Sequence, residues 1–389
     1  MIPLARPSLS AREEELVLET LRSGRLALGP RLPEFENALS GLVAGLPVSA
    51  VSSGTAGLHL AIREAGARAG DEAVTTPFSF VASANCLLYE NAKPVFCDID
   101  PRTLNIDPAA AAAAVGPRTT GLLPVHIFGY PADMPALERL AAERGLWLVE
   151  DSCEALGAVH ADGTPVGARG NLSVFAFYPN KQMTTGEGGA VVCPDPVAKQ
   201  RIDSERNQGR APNMGWLDHD RLGFNYRLDD LSCALGLGQL ERIEELLAGR
   251  ARVAALYGEA LADVEALELP CPDAGGDRRS WFVYVVQLPR GVDRDAAVVA
   301  MRERGVDTKP YLPAIHLMSF YRERFGHREG EFPICEDVAA RSLALPFFPQ
   351  LTEGEVDQVA ETLRGVIEAA QVNGLTSATK PGSPRPGGR

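Results

Sequence analysis

The sequence predicts an α/β protein: a mostly parallel, seven-stranded sheet flanked by helices, followed by a smaller α+β part. Three observations predict it. Between residues 47 and 193, apolar, β-branched runs alternate with amphipathic stretches, the pattern of parallel strands joined by crossover helices and covered on both faces. After about residue 230 the pattern becomes one long helical stretch, Leu231–Glu259, with Leu235, Leu240, Ile243 and Leu247 near helical spacing. Beyond it, the apolar run Trp281–Leu288 stands between helical segments.

In chain order, the expected strands are Val48–Ser52, Ala73–Thr76, Pro94–Asp98, Gly121–His126, Leu146–Asp151, Leu172–Phe177 and Gly189–Cys193. Ala56–Ala67 and Met134–Arg144 are amphipathic and lie between them as helices. The alanine run Ala109–Ala114 is short enough to be a helix surface. In the second part, Trp281–Leu288 is expected as a strand, Asp295–Glu303 as a helix and Glu353–Ala370 as a closing helix. These elements divide the chain into a large domain at 1–240 and a small one at 241–375. The Pro/Gly/Ser-rich tail at 376–389 is expected to be disordered. A sheet of this kind places ligands at the carboxyl ends of its strands.

Composition narrows the function. The 389 residues carry 38 basic and 51 acidic side chains, a net charge of −13, which disfavours nucleic acid and anionic membranes as partners. The longest stretch without a charged side chain, Asn37–Ile62, is interrupted by Pro47, Ser52–Thr55 and His59, so it fits a buried strand and turn rather than a membrane span. The first residues show no basic segment leading into an apolar one, so no signal peptide is expected. Seven scattered cysteines without a Cys-x-x-Cys pair point to reduced thiols in the cytoplasm and against a disulfide framework or zinc ribbon.

Lysine usage is the most informative feature. Only five of the 38 basic residues are lysine, so a lysine in a core segment raises a chemical question. Lys181 lies in Phe175–Gly189 (FAFYPNKQMTTGEGG), between an aromatic strand and a glycine turn. An amine there can form a Schiff base, which is how pyridoxal phosphate (PLP) is held; the alternative is a side chain leaving a turn for solvent. Ser52–Ala56 (SSGTA) closes the first strand and opens the next helix, which suits either a phosphate seat or an ordinary helix cap. No dinucleotide fingerprint or P-loop is present, so a monophosphate fits better than a nucleotide tail. Glu150 and Asp151 end an apolar strand, where a buried carboxylate needs a partner. A pyridinium nitrogen is one, and the start of a following helix is another. The conjunction of phosphate seat, Asp and Lys at strand ends of one sheet favours PLP.

These residues resemble the DegT/DnrJ/StrS aminotransferases, PLP-dependent enzymes of fold type I that act mainly on nucleotide sugars and cyclitols. The resemblance runs from about Ile2 to Ile367. It is carried by Ser23-Gly24 and Gly29-Pro30, by Ser53–Ala56, by Pro77–Asn85 (PFSFVASAN) and by Pro94–Asp100 (PVFCDID). It continues through Pro124–Gly129 (PVHIFG), Glu150–Ala158 (EDSCEALGA), the Lys181 segment, Gly223–Asp229 (GFNYRLD) and Tyr311–His316 (YLPAIH).

The resemblance implies a role for each matching residue. Lys181 corresponds to the Schiff-base lysine that also shuttles the proton, Asp151 to the partner of the pyridinium nitrogen, and Gly54 and Thr55 to phosphate ligands. Phe80 matches the aromatic that stacks on the ring, although plain core is an alternative. Asn225 matches the asparagine that reaches the neighbouring subunit's cofactor, which implies a homodimer with shared active sites. Tyr311 and His316 lie where the family contacts the sugar, an unpaired surface histidine being the alternative for His316.

Two departures stand out. A serine that many members carry five residues before the lysine is Ala176 here, one hydroxyl contact fewer, worth on the order of 1 kcal/mol. Where many have glutamine after the aspartate, this chain has Glu154, expected beside the cofactor's phenolic oxygen. The family's dehydratase branch has histidine in place of the lysine, so Lys181 disfavours it.

The expected activity is therefore amino transfer from L-glutamate to a keto sugar carried on a nucleotide, as in amino-sugar or polysaccharide biosynthesis. Thr184–Gly189 (TTGEGG) leans towards the members that aminate C4. A cyclitol aminotransferase and a non-catalytic regulatory relative are the alternatives. Specificity is expected from the loops Asn213–Leu222 and Tyr311–Met318.

Overall fold

The computed structural model describes residues 1–211, 218–264 and 266–372. The tail at 376–389 and residues 213–217 of the first specificity loop lie outside them.

All seven strands of the first part form one sheet: β1 (Val48–Val51), β2 (Glu72–Thr75), β3 (Lys93–Phe96), β4 (Thr119–Leu123), β5 (Trp147–Asp151), β6 (Leu172–Ala176) and β7 (Gly189–Val192). Their order is β1-β7-β6-β5-β4-β2-β3. Only β7 runs against its neighbours, so β1 is parallel to the other five. Six carboxyl ends therefore gather on one edge, together with the amino end of β7.

Alternation along the strands sends side chains to two cores. Val174 and Val191 pack with Leu58, Leu60 and Ile62 on one face, while Phe175, Ala190 and Val192 pack with Phe35, Leu39 and Leu246 on the other. The helix Gly54–Glu64 starts where Ser53 Oγ accepts the N–H of Ala56 at 3.1 Å. Gly54 lets it approach the sheet closely, since a Cβ there would come within 2.7 Å of Ala176 Cβ and 3.0 Å of Cys153 Sγ.

The second part holds a three-stranded antiparallel sheet, β8 (Tyr284–Gln287), β9 (Lys309–Pro310) and β10 (Ser342–Leu345), with β10 central. Helices Ile243–Ala260, Arg294–Glu303 and Glu353–Val372 share its core, and Ile2 joins them through a parallel bridge to Val306. The stretch expected as one helix over Leu231–Glu259 is two, Asp230–Glu241 and Ile243–Ala260, broken at Arg242 (φ −127°, ψ 23°). Apolar spacing registers which face is buried but not a one-residue interruption. We propose that the division expected at 240/241 falls at this break.

A tight corner ties the two parts together. Phe128 has φ 52° and Gly129 φ 83°, and Ser280 N–H donates to the Gly129 carbonyl at 3.0 Å. A Cβ on Gly129 would lie 1.6 Å from the Ser280 carbonyl oxygen. Gly129→Ala is therefore expected to cost more than about 2 kcal/mol. Urea unfolding measures it, and a loss below about 0.5 kcal/mol would show that the corner yields freely.

Candidate active site

The gathered strand ends frame a cleft of about 470 Å³. Asp151 ends β5, Ser53–Thr55 follow β1, Ala176 ends β6, and Lys181 comes from the turn between β6 and β7. Phe80, Ser83, Tyr178, Glu154 and Tyr311 complete the walls that matter below.

The two successive carboxylates of β5 point to opposite faces. Asp151 faces the cleft: Oδ2 accepts from Ser83 Oγ at 2.7 Å and Oδ1 from the Cys153 N–H at 3.1 Å. With its proton on Asp151, Ser83 accepts in turn from Ser79 at 2.6 Å. Glu150 faces away. It accepts from His126 Nε2 at 3.1 Å and Asn171 Nδ2 at 2.8 Å. The Ala132 N–H donates to His126 Nδ1 at 3.0 Å, which leaves the imidazole proton on Nε2. Burial pushes the Glu150 carboxyl up, yet it is held below the usual range, with the hydrogen bonds from His126 and Asn171 drawing it down.

Glu154 lies within the cleft wall. Its Oε2 accepts the Phe128 N–H at 2.9 Å, and Oε1 is 3.6 Å from Lys181 Nζ. The Lys181 amine also lies 3.8 Å from the centre of the Phe282 ring. Burial raises the Glu154 carboxyl above its ordinary value, more than Lys181 and the Phe128 N–H draw it down. Burial likewise raises the Tyr311 phenol, with Glu154 adding to the effect.

The chain matches the DegT/DnrJ/EryC1/StrS aminotransferase family over residues 7–364. It belongs to that family. It is similar to the spore coat polysaccharide biosynthesis protein SpsC of Bacillus subtilis, at 34% identity over 95% of this chain and 98% of SpsC. Among solved structures it resembles DesV of S. venezuelae in complex with a ketimine intermediate, with a TM-score of 0.87 at 31% identity, covering 94% of this chain and 99% of DesV. DesI in the presence of its TDP-sugar product gives a TM-score of 0.87 at 32% identity over 96% and 94% of the two chains. The protein is a PLP-dependent sugar aminotransferase of fold type I.

The aminotransferase's cleft suits the cofactor by its own chemistry. A carboxylate whose two oxygens are already positioned by Ser83 and Cys153 can meet a pyridinium nitrogen, and an amine faces the same space. Gly54 and Thr55 bring a helix start to the same cleft, the kind of place where a phosphate is held.

Of the residues expected from sequence, Gly54, Thr55, Phe80, Asp151, Glu154, Lys181 and Tyr311 line this cleft. Asn225 does not; it is exposed, bridged to Asn207 across an antiparallel pair. His316 does not either. It is fully buried in the short 3-10 helix Ile315–Leu317, paired with Glu336 at 3.1 Å and packed edge-on against Phe332 at 4.7 Å.

Sequence reasoning passed over Ser83 and Phe282. Ser79 and Ser83, four apart in an otherwise apolar segment, are a legible sign of a shared polar contact. Phe282 approaches Lys181 only through long-range packing.

The raised Glu154 carboxyl gives a signed prediction. A carboxyl raised in the folded state contributes stability below its unfolded value and loses it as pH rises through its folded value. Glu154→Gln should therefore raise the urea midpoint relative to wild type more at pH 7.5 than at pH 4. An equal difference at both pH values would mean that Glu154 ionises as freely as in the unfolded chain.

Proposed function

We propose that this enzyme moves the amino group of L-glutamate to a nucleotide-linked 4-keto-6-deoxy sugar, in two half-reactions on one cofactor. The observation that carries the reading is Lys181 and Asp151 facing one cleft at the strand ends, beside the helix start at Gly54. Relatives support the substrate class: DesI is described with a TDP-sugar product, and SpsC is named for polysaccharide biosynthesis. The Thr184–Gly189 segment is the basis for preferring C4.

In this reading Gly54 and Thr55 would hold the cofactor's phosphate, and Phe80 would be the aromatic contact to its ring. Asp151 holds a proton at the ring nitrogen, with Ser83 and the Cys153 N–H keeping the carboxylate in place. The bound cofactor supplies an electron-withdrawing ring that stabilises negative charge on the substrate carbon. Lys181 moves the proton on and off that carbon, the role of a positioned general base and acid. Glu154 lies beside the amine, and Tyr311, which lines the same cleft, is read as a contact to the sugar.

We infer a homodimer with shared sites. Three carboxylates line the cleft (Asp151, Glu154, Glu187), and among the described residues Lys181 is its one cation. A cofactor phosphate, a glutamate carboxylate and a sugar diphosphate need further donors. Phe80 and Tyr178 stand 61% and 52% exposed at the cleft, and Asn225 lies on the surface as a residue serving a neighbour would. The seven free, mostly buried cysteines support a cytoplasmic setting; among the described residues no helix is long and apolar enough to cross a membrane.

The test is the visible absorbance of the PLP-loaded protein before and after L-glutamate, followed by product analysis with 4-keto and 3-keto nucleotide sugars. Glutamate should convert the spectrum, and Lys181→Ala should lower transfer by at least the roughly 10²–10⁴-fold of a lost acid–base group. Retained turnover in Lys181→Ala would defeat the assignment, and amination only of 3-keto sugars would defeat the C4 choice.

A further inference from the structure

Behind the lysine turn lies a cation without a counter-ion. Arg250 sits on the buried stripe of the helix Ile243–Ala260, in line with Leu246, Val253 and Tyr257. It is 3% exposed, and no carboxylate pairs with it among the described residues. Burial is the sole influence on its guanidinium, lowering it to about 10, so it remains charged at neutral pH.

An unpaired buried charge is expensive, and a methionine could fill the same stripe without desolvating one. What the guanidinium adds is a set of three backbone contacts. Nη1 donates to the Phe282 carbonyl at 3.0 Å, and Nη2 donates to the Asn180 carbonyl at 3.3 Å and to the Lys181 carbonyl. Two of these carbonyls belong to the lysine turn of the first sheet. The third belongs to the segment leading into β8, whose Phe282 ring lies 3.8 Å from Lys181 Nζ. One side chain thus holds both ends of the contact between the amine and the ring.

We propose that Arg250 is a positioning residue for Lys181: its fork clamps the lysine turn to the Phe282 segment and so sets where the amine is presented to the cofactor. The inference rests on Lys181 being the residue that binds PLP. A lysine at 250 keeps the charge but not the planar fork, and a methionine keeps only the bulk.

The experiment follows attachment of PLP to the cofactor-free protein. The Lys181 nitrogen bonds the aldehyde carbon and the aldehyde oxygen leaves as water; borohydride traps the product, and peptide mass locates it. Pyridoxine 5′-phosphate, which has no aldehyde, measures the pocket apart from the lysine. Arg250→Met should attach PLP at least tenfold more slowly at saturation while binding pyridoxine phosphate within threefold of wild type, and Arg250→Lys should fall between. Attachment at the wild-type rate in either variant overturns the proposal. So does a parallel loss of attachment and pyridoxine phosphate binding, which is what general loosening would give. Where Arg250→Met does not fold, Arg250→Lys decides alone. Wild-type protein that attaches no PLP at Lys181 overturns the assignment of the lysine itself, and the clamp with it.

Discussion

Buried charge is what the active-site end of this molecule is built around. Glu150, Asp151, Glu154 and Arg250 are all withdrawn from water, and each is tolerated only through specific partners. Asp151 has a serine hydroxyl and a backbone N–H, Glu150 an imidazole and an amide, Glu154 a backbone N–H and the lysine, Arg250 three carbonyls. These partners come from distant parts of the chain. Satisfying the charges therefore brings together the helix Ala82–Tyr89, the corner at Phe128, the lysine turn and the approach to β8. The polar network sets the relative positions of elements that apolar packing alone would hold less specifically.

The corner at Phe128–Gly129 illustrates the dependence. Its left-handed backbone turns the Phe128 N–H onto Glu154, and the Gly129 carbonyl accepts from Ser280. Ser280 begins the run that carries Phe282 to the lysine. A conformational requirement at one glycine is thereby transmitted, through two hydrogen bonds, to the surroundings of the amine. Gln182 reinforces the same junction by donating to the carbonyls of Glu154 and Ser280.

Much of this was legible in the sequence, for identifiable reasons. The strands of the first sheet announce themselves because strands buried on both faces read as continuous apolar, β-branched runs. Lys181 was visible because the chain uses so few lysines, and Asp151 because an acid at the end of an apolar strand is costly. Which of Glu150 and Asp151 faces the cleft was assigned by resemblance; the pleat explains it, since adjacent residues must diverge. The break at Arg242 and the inward turn of His316 were not legible. Both depend on packing between segments far apart in sequence, and a histidine that closes a motif has no local mark of burial. Arg250 did leave a mark: an arginine at a core-facing step of the 246–250–253–257 stripe departs from the apolar pattern around it.

On the proposed reading, the phosphate end of the cleft is as tightly constrained as the lysine end. Gly54 packs so closely on β6 that a Cβ would meet Ala176 and Cys153. Ala176 fits this packing but offers no hydroxyl. On that reading, Thr55, Ser53 and the backbone N–H groups of the first helical turn are the donors at hand there among the described residues, and Ser53 already uses its hydroxyl oxygen to cap Ala56. A phosphate dianion held by so few neutral donors, in a cleft whose other ionisable groups are mainly carboxylates, is poorly compensated. Phe80 and Tyr178 stand exposed at the same cleft. On the proposed reading, incomplete charge compensation and uncovered aromatic surface have one common remedy, a second subunit closing over the cleft.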